Sequence, residues 1–325
     1  MPRHFLITGS AGFIGSHLAD RLLSEGHLVT GIDNLVRGSR LNLVDANPNP
    51  RFRFVEADVA DPDALRGALG EIARLAPIDC VWHLAANSDI GAGVANSSVD
   101  LRDTFLTTFH TLAIMREFQI PRIAFASTSA VYGNYPGLLT EDAGPMFPIS
   151  NYGAMKLASE ASISAAVESF IEQAWIFRFP NVIGPRATHG IIYDLLHKLA
   201  ENPPDLEVLG DGSQQKPYLH VSELIDAMCF IFGHAGERLN YFNIGVTDEG
   251  ATVKFIAESV QRHAAPAIPI RFTGGNRGWV GDVPRFQYSV AKLAALGWQP
   301  RLGSTGAVDR SVVEILREIP IPCKL

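Results

Sequence analysis

The first half of the chain alternates short apolar runs with stretches whose apolar residues recur at helical spacing. HFLITG (4–9) reads as a buried strand. From Gly12 to Glu25, Ile14, Leu18 and Leu22 recur every four residues, which predicts one helix face. HLVTGID (27–33), RFRFVEAD (51–58), DCVWHLAA (79–86), RIAFAST (122–128) and AWIFRF (174–179) are further β-rich runs, with helix-like segments between them. Strand–helix alternation with apolar strands predicts an α/β fold, a Rossmann-type doubly wound parallel sheet covered on both faces. After about Pro180 prolines and glycines thicken and the runs become short and irregular. That change predicts a smaller C-terminal substrate-binding domain at the sheet's carboxyl end, where open α/β sheets bind ligands. The expected division is 1–179 with roughly 216–247, against 180–215 with 248–325.

Composition narrows the function classes. The 325 residues are 47% hydrophobic and 19% charged, enough for a substantial core. Net charge is −7 with no basic stripe, so no nucleic-acid partner is expected. The apolar runs are short and interrupted, so no membrane span is expected. The start, MPRHFLITGS, enters a strand-like run without a leader pattern. Three scattered cysteines suggest neither a disulfide framework nor a zinc site, and a reducing, cytoplasmic setting is the natural reading. Ten histidines form no H-x-x-x-H or Cys–His cluster, so no metal is expected. His83 reads as a packed residue.

Between the first strand and helix, Gly9, Gly12 and Gly15 follow a G-x-x-G-x-x-G spacing. A tight turn, bare backbone and a helix N-terminus suit a pyrophosphate, although a strand–helix turn can also carry spare glycines. Asp33 ends the next strand eighteen residues after Gly15. A carboxylate there accepts ribose hydroxyls and repels a 2′-phosphate, which favours NAD over NADP; Arg37 and Arg40 nearby keep the alternative open. Asp58 and Val59 end the following strand, where the acid can reach an adenine amino group or serve as a turn carboxylate.

Tyr152 and Lys156 stand at i and i+4, so one helix face carries both. An ammonium near a phenol favours the phenolate, and a bound oxidised nicotinamide would add a second positive charge. Together they could move the phenol pKa from about 10 toward neutrality and make it a general base toward a sugar alcohol. Thr128, at the end of a hydroxyl-rich strand terminus, can bond the same oxygen. The short Y-x-x-x-K pattern also occurs by chance on solvated helices; its company is what gives it weight. Ser127 to Ser129 lack a G-x-S-x-G elbow, which speaks against hydrolysis.

These segments, together with DNL, ADV, HLAA, STSAVYG, YGAMK, RFPNVIGPR, GDGSQQKPYLHV, FNIG and GDVPRF…LGW, resemble the extended short-chain dehydrogenase/reductase family, specifically its nucleotide-sugar-modifying members. The resemblance covers nearly the whole chain. It implies a Rossmann domain and a smaller domain holding the nucleoside diphosphate, with Thr128, Tyr152 and Lys156 as the catalytic triad. The glycine turn, Phe13, Ile14, Asp33, Asn34, Asp58, Val59, Leu84, Ala85, Ala86 and Pro180 would line the cofactor. Asn181, Ile191, Ile192, Lys216, Tyr218, Arg277 and Asp282 would meet the substrate, with Thr188 to Leu196 near a uracil or simply a helix start. Lys216 and Pro217 stand where the family often has Arg-Asp, Trp279 where it has an arginine, and Thr104 where it has an asparagine.

Ser129 and Ala130 replace the Asp-Glu pair of the family's dehydratases, and Ala130 the glutamate of its decarboxylases. Neither can move a proton at the far sugar carbons. Within the family the sequence is most similar to enzymes that epimerise C4 of UDP-glucose, which implies a UDP-sugar or other nucleotide-sugar substrate. A dehydrogenase or keto-reductase with the same triad, and a non-catalytic NAD-binding sensor or scaffold, are the alternatives. Family members commonly form homodimers, here through residues near Leu101 to Phe118, where Phe105, Phe109 and Leu112 share a face that could serve the contact or equally pack on the chain's own sheet.

Overall fold

A computed structural model describes residues 2–73, 76–275 and 288–319. They fall into two compact units. The first comprises Met1–Tyr135, Glu141–Arg178 and Met228–Asn243, and the second Pro136–Thr140, Phe179–Ala227 and Ile244–Leu325.

The first unit is built on six strands in chain order, β1 (His4–Thr8), β2 (Leu28–Asp33), β3 (Phe52–Glu56), β4 (Cys80–His83), β5 (Arg122–Ala126) and β6 (Gln173–Arg178), joined by a seventh, Leu239–Asn243. Spatial order is Leu239–Asn243, β6, β5, β4, β1, β2, β3, all parallel. The chain winds outward in both directions from the β1–β4 pair, which makes the carboxyl ends of those two strands the switch point of the sheet. Every strand predicted from the apolar runs is present. Its helices are α1 (Phe13–Ser24), α2 (Pro62–Ala73), α3 (Ile90–Ala95), α4 (Ser97–Asp100), α5 (Thr107–Glu117) and α6 (Asn151–Val167). Leu6, Ile32, Val81, Ile123 and Ile176 from five strands share a core with Leu65, Leu69, Met115 and Ile163 from helices. Trp82 is fully buried and stacks on Phe177 at 5.9 Å.

Leu101–Leu106, between α4 and α5, is π-helical. The Thr107 and Thr108 hydroxyls both donate to the carbonyl of Thr104, at 2.9 and 3.3 Å. Such side-chain donors compete with the backbone for that carbonyl and accompany a widened turn. Phe109 is exposed, with its ring 6.3 Å from that of Phe105, while Leu112 packs in the core, so the three residues do not share one exposed face.

The second unit holds α7 (Ile191–Ala200), α9 (Val253–Ala264), α10 (Ala291–Leu296) and α11 (Ser304–Leu316). The residues of α8 (Val221–His234) divide between the units after Ala227. Asn181–Ile183 pairs in parallel with Tyr218–His220, Leu206–Val208 with Ile270–Phe272, and Gln215–Lys216 antiparallel with Ala251–Thr252. The second unit includes 216–227, and the segment that returns to the first is 228–243, against the 216–247 read from sequence. Leu196, Leu206, Ile256, Val260, Val308 and Val312 form its core. Gly303 cannot cap α11 with a side chain, and Asp248 does so instead, accepting the Ser304 N–H at 2.6 Å.

Candidate active site

The turn between β1 and α1 is closed by backbone alone. The N–H groups of Gly9 and Ser10 donate to the carbonyl of Ile32, at 2.8 and 3.2 Å. Gly9 has φ +73°, and a Cβ there would lie 2.9 Å from the Ala85 nitrogen. A Cβ on Gly15 would stand 2.1 Å from the Gly9 carbonyl oxygen. Both positions therefore require glycine. Gly12 begins α1 without a side-chain cap. Phe13 and Ile14 form the first turn of that helix and keep partial exposure.

Asp33 is buried at the end of β2. Its Oδ2 accepts the Ala11 N–H at 2.9 Å and its Oδ1 the Leu35 N–H at 2.8 Å. Burial raises its pKa above the usual carboxylate range, against the pull of these amides. Arg37 reaches Asp89 at 3.4 Å and Arg40 reaches Glu56 at 2.5 Å. Both cations next to Asp33 thus face carboxylates, which weakens the case for a 2′-phosphate. Asn34 accepts the Val36 N–H at 3.1 Å. Burial would raise the Asp58 pKa, but the Ala60 amide and Arg102, 2.5 Å away, hold it below the usual range. Val59 is in the core, so only its backbone is left to face a ligand. Leu84 and Ala85 continue from β4; their N–H groups donate to the carbonyl and hydroxyl of Thr8, at 3.1 and 3.3 Å. Ala86 follows with partial exposure. At the switch point itself, Thr8 Oγ1 and His83 Nδ1 are 2.7 Å apart, and His83 Nε2 lies 3.1 Å from the Thr108 hydroxyl. His83 is fully buried, which pushes its pKa down to about 3, so it is a neutral packed residue. This glycine-lined turn, uncapped helix start and strand-end acid fit a dinucleotide without a 2′-phosphate.

The triad residues come from β5 and α6. Thr128 follows β5, and its Oγ1 accepts the Ala130 N–H at 3.1 Å. Ser150 caps α6 by accepting the Gly153 N–H, which places Tyr152 and Lys156 in its first two turns. A Cβ on Gly153 would be 2.6 Å from the Ala130 carbonyl oxygen, so the start of α6 lies directly against the turn that follows Thr128. Lys156 is buried. Its Nζ donates to the Ala126 carbonyl at 2.7 Å, and lies 4.6 Å from the Phe125 ring centre and 5.9 Å from that of Tyr152.

The chain's own groups do not by themselves draw the phenol toward neutrality. Burial, reinforced by Asp100, pushes the Tyr152 phenol up to about 12, and only the Thr128 hydroxyl opposes them. Burial also brings Lys156 down to about 7, with Glu160 opposing. Desolvation outweighs the lysine–phenol attraction in the chain by itself. Asp100 and Glu160 were missed by sequence reading. Asp100 is buried with Oδ1 held by Asn87 at 2.8 Å, and its Oδ2 has no hydrogen-bond partner. Glu160 extends the Tyr152–Lys156 spacing by another four residues, which was an available signal.

In the second unit, Asn181 and Tyr218 are register partners across the parallel pair. Asn181 is exposed; Tyr218 is buried, and its N–H donates to Ser304 Oγ at 3.1 Å. Lys216 lies two residues before Tyr218 and pairs in register with Ala251. Pro180 is buried beside Asn181 in the chain. Ile191 and Ile192 open α7, and the Ile192 side chain is core. Arg277, Trp279 and Asp282 lie outside the described residues. Among the described residues there is no cluster of metal-ligating side chains, and no helix is long and apolar enough to cross a membrane.

Residues 5–245 match the model of the NAD dependent epimerase/dehydratase family. A putative UDP-glucose 4-epimerase from Methanocaldococcus jannaschii is 30% identical over 315 residues, covering 94% of this chain and 96% of that one. A solved UDP-galactose 4-epimerase superposes with a TM-score of 0.84 at 32% identity, covering 97% of this chain and 99% of the other. The Thermus thermophilus UDP-glucose 4-epimerase, solved with NAD, gives 0.82 at 27% identity, covering 96% and 98%. NAD is thus the cofactor of this fold, and the chain belongs to the NAD-dependent epimerase/dehydratase family.

Proposed function

We propose that this protein epimerises a nucleotide sugar of the UDP-glucose/UDP-galactose type at C4, with NAD as its resident cofactor. The observation that carries the reading is the seating of Lys156 on the Ala126 carbonyl beneath the Tyr152 ring, at the strand end bearing Thr128. Gly9, Gly12, Phe13, Ile14, Gly15, Asp33, Asn34, Asp58, Val59, Leu84, Ala85, Ala86 and Pro180 are assigned to NAD. When bound, NAD supplies reversible oxidation at the sugar's C4 and adds positive charge near the phenol. Tyr152 accepts the proton of the 4-hydroxyl and returns it to the 4-keto oxygen after the sugar has turned. Thr128 bonds that same oxygen and holds it against the phenol. The Lys156 ammonium favours the phenolate, and its burial keeps water from competing for it. Asn181, Lys216 and Tyr218 are assigned to the nucleoside diphosphate, with the backbone of Ile191 and Ile192 at the base. Lys216 meets phosphate as a point charge, without the bidentate fork of an arginine.

A dehydrogenase or keto-reductase would use the same triad, and net redox separates the two. Purified protein mixed with a panel of nucleotide sugars is expected to interconvert one C4 pair without lasting absorbance change at about 340 nm. A sustained change would replace epimerisation by net oxidation or reduction; no product and no bound NAD would defeat the reading. We further propose a homodimer, with Phe105 and the exposed Phe109, rings 6.3 Å apart, in the contact. Sedimentation as a monomer would refute it.

A further inference from the structure

We infer that Glu160 is a positioning residue for Lys156: gripped by Arg178 and Ser127, it fixes a negative charge one helical turn beyond the lysine and keeps that ammonium charged and seated on the Ala126 carbonyl. The inference rests on the role proposed for Lys156 above.

Glu160 is buried at i+4 from Lys156 on α6. Arg178, on β6, holds both of its oxygens: Nη2 donates to Oε2 at 2.7 Å, and Nε to Oε1 at 3.0 Å and Oε2 at 3.2 Å. Ser127 Oγ donates to Oε1. Arg178 is itself anchored, its Nη1 donating to the Tyr132 hydroxyl at 2.9 Å and the Glu141 carbonyl at 3.0 Å. Tyr132 donates onward to Asn243 Oδ1 at 2.7 Å. The carboxylate thus has little freedom to turn. A salt bridge serving only stability would need Arg178 alone. The Ser127 bond does something more: it ties the carboxylate to the residue between Ala126, which accepts from Lys156, and Thr128.

Other charges around Lys156 do not do this work. His83, from β4, stacks on the Phe125 ring at 5.8 Å and is neutral. Asp100, from α4, acts on Tyr152. Tyr132 is a neutral phenol whose burial raises its pKa. Arg178 grips the carboxylate and opposes its field. Against the burial that drives Lys156 down to about 7, Glu160 is the group that raises it.

Glu160→Gln alone would strand a buried guanidinium, so the deciding variant is the charge-balanced Glu160→Gln/Arg178→Met. Lys156 is followed directly, by NMR titration of protein carrying ¹³C-labelled lysine side chains, with Lys156→Met assigning the resonance. In the folded double variant the Lys156 titration is expected to move down by about one pH unit, and the alkaline limb of kcat/KM to follow it. An unmoved titration overturns the inference, whatever happens to activity. If the double variant does not fold, Ser127→Ala keeps both charges and loosens the carboxylate. A smaller downward shift is expected there, and none would overturn the inference. The titration needs no turnover, so its failure is distinct from failure of the epimerase reading, which the product assay decides on wild-type protein.

Discussion

The Asp33 carboxylate accepts the N–H of Ala11 at 2.9 Å, so the residue that ends β2 also holds the loop that opens α1. Its other oxygen accepts from Leu35, and both are thereby tied to backbone. Asp33→Asn removes the charge and leaves one of those N–H groups facing an amide NH2. Loss of a hydrogen bond to a charged group is worth about 1.5–3 kcal/mol, so NAD affinity is expected to fall roughly tenfold to hundredfold. The preference for NAD over NADP should narrow, because the 2′-phosphate no longer meets a carboxylate. Calorimetric titration of nucleotide-stripped protein measures both; an unchanged NAD dissociation constant would show that the acid only shapes the loop.

Tyr152 makes a second test. Tyr152→Phe is expected to lower kcat by at least about 10²-fold while NAD stays bound. Protein stripped of nucleotide should show the Tyr152 phenol ionising only near about 12, because burial and Asp100 oppose the phenolate. An ultraviolet difference titration of wild type against the variant isolates this group. Ionisation well below the ordinary tyrosine value in stripped protein would mean that the chain alone poises the base.

Much of this site could be read from sequence because its parts are local. The glycine turn, the acid ending β2 and the tyrosine–lysine pair each lie within one strand–helix junction or one helical turn, and backbone geometry carries their meaning. Of Glu160 only the four-residue spacing from Lys156 was legible, for the opposite reason. Its character comes from Arg178, eighteen residues on and in another strand, and from Ser127 behind it. Asp100 was hidden similarly: it stands in α4, fifty-two residues before Tyr152, and its bond from Asn87 and its effect on the phenol come from packing that no spacing announces. The second unit was the least legible, since its two- and three-residue strand pairs have no periodicity to detect.

Asp100 yields a pH-dependent prediction. Burial raises its folded pKa, with Asp103 and Asp89 adding to the effect against the hydrogen bonds from Asn87 and Thr104. A carboxyl with a raised folded pKa favours folding below its unfolded pKa, and loses that contribution as pH rises through the folded value. Asp100→Asn retains Oδ1 as the acceptor for Asn87 and removes the charge. Its melting temperature relative to wild type should therefore climb as pH rises from the ordinary carboxylate range through the raised folded value. The acid limb of kcat/KM should also move to lower pH, because one of the influences raising Tyr152 has gone. A melting difference independent of pH, with the limb unmoved, would reduce Asp100 to a packing residue.

The family includes dehydratases, and the turn after Thr128 separates the two chemistries. Removing water from C5 and C6 of a hexose needs a base and an acid at those carbons. Here Ser129 and Ala130 begin a short 3-10 turn whose Ala130 N–H donates to Thr128 Oγ1 and whose Ala130 carbonyl lies against Gly153. A hydroxyl and a methyl offer no group able to exchange a proton near neutral pH. Incubation with UDP-glucose or dTDP-glucose is thus expected to yield the C4 epimer or nothing, with no 4-keto-6-deoxy sugar by mass spectrometry. Ala130→Glu alone should not confer elimination either, since it restores one of the two proton-transfer groups and crowds the start of α6. Accumulation of the deoxy sugar by the wild-type protein would require an acid and a base from elsewhere in the chain, and would overturn the C4 assignment.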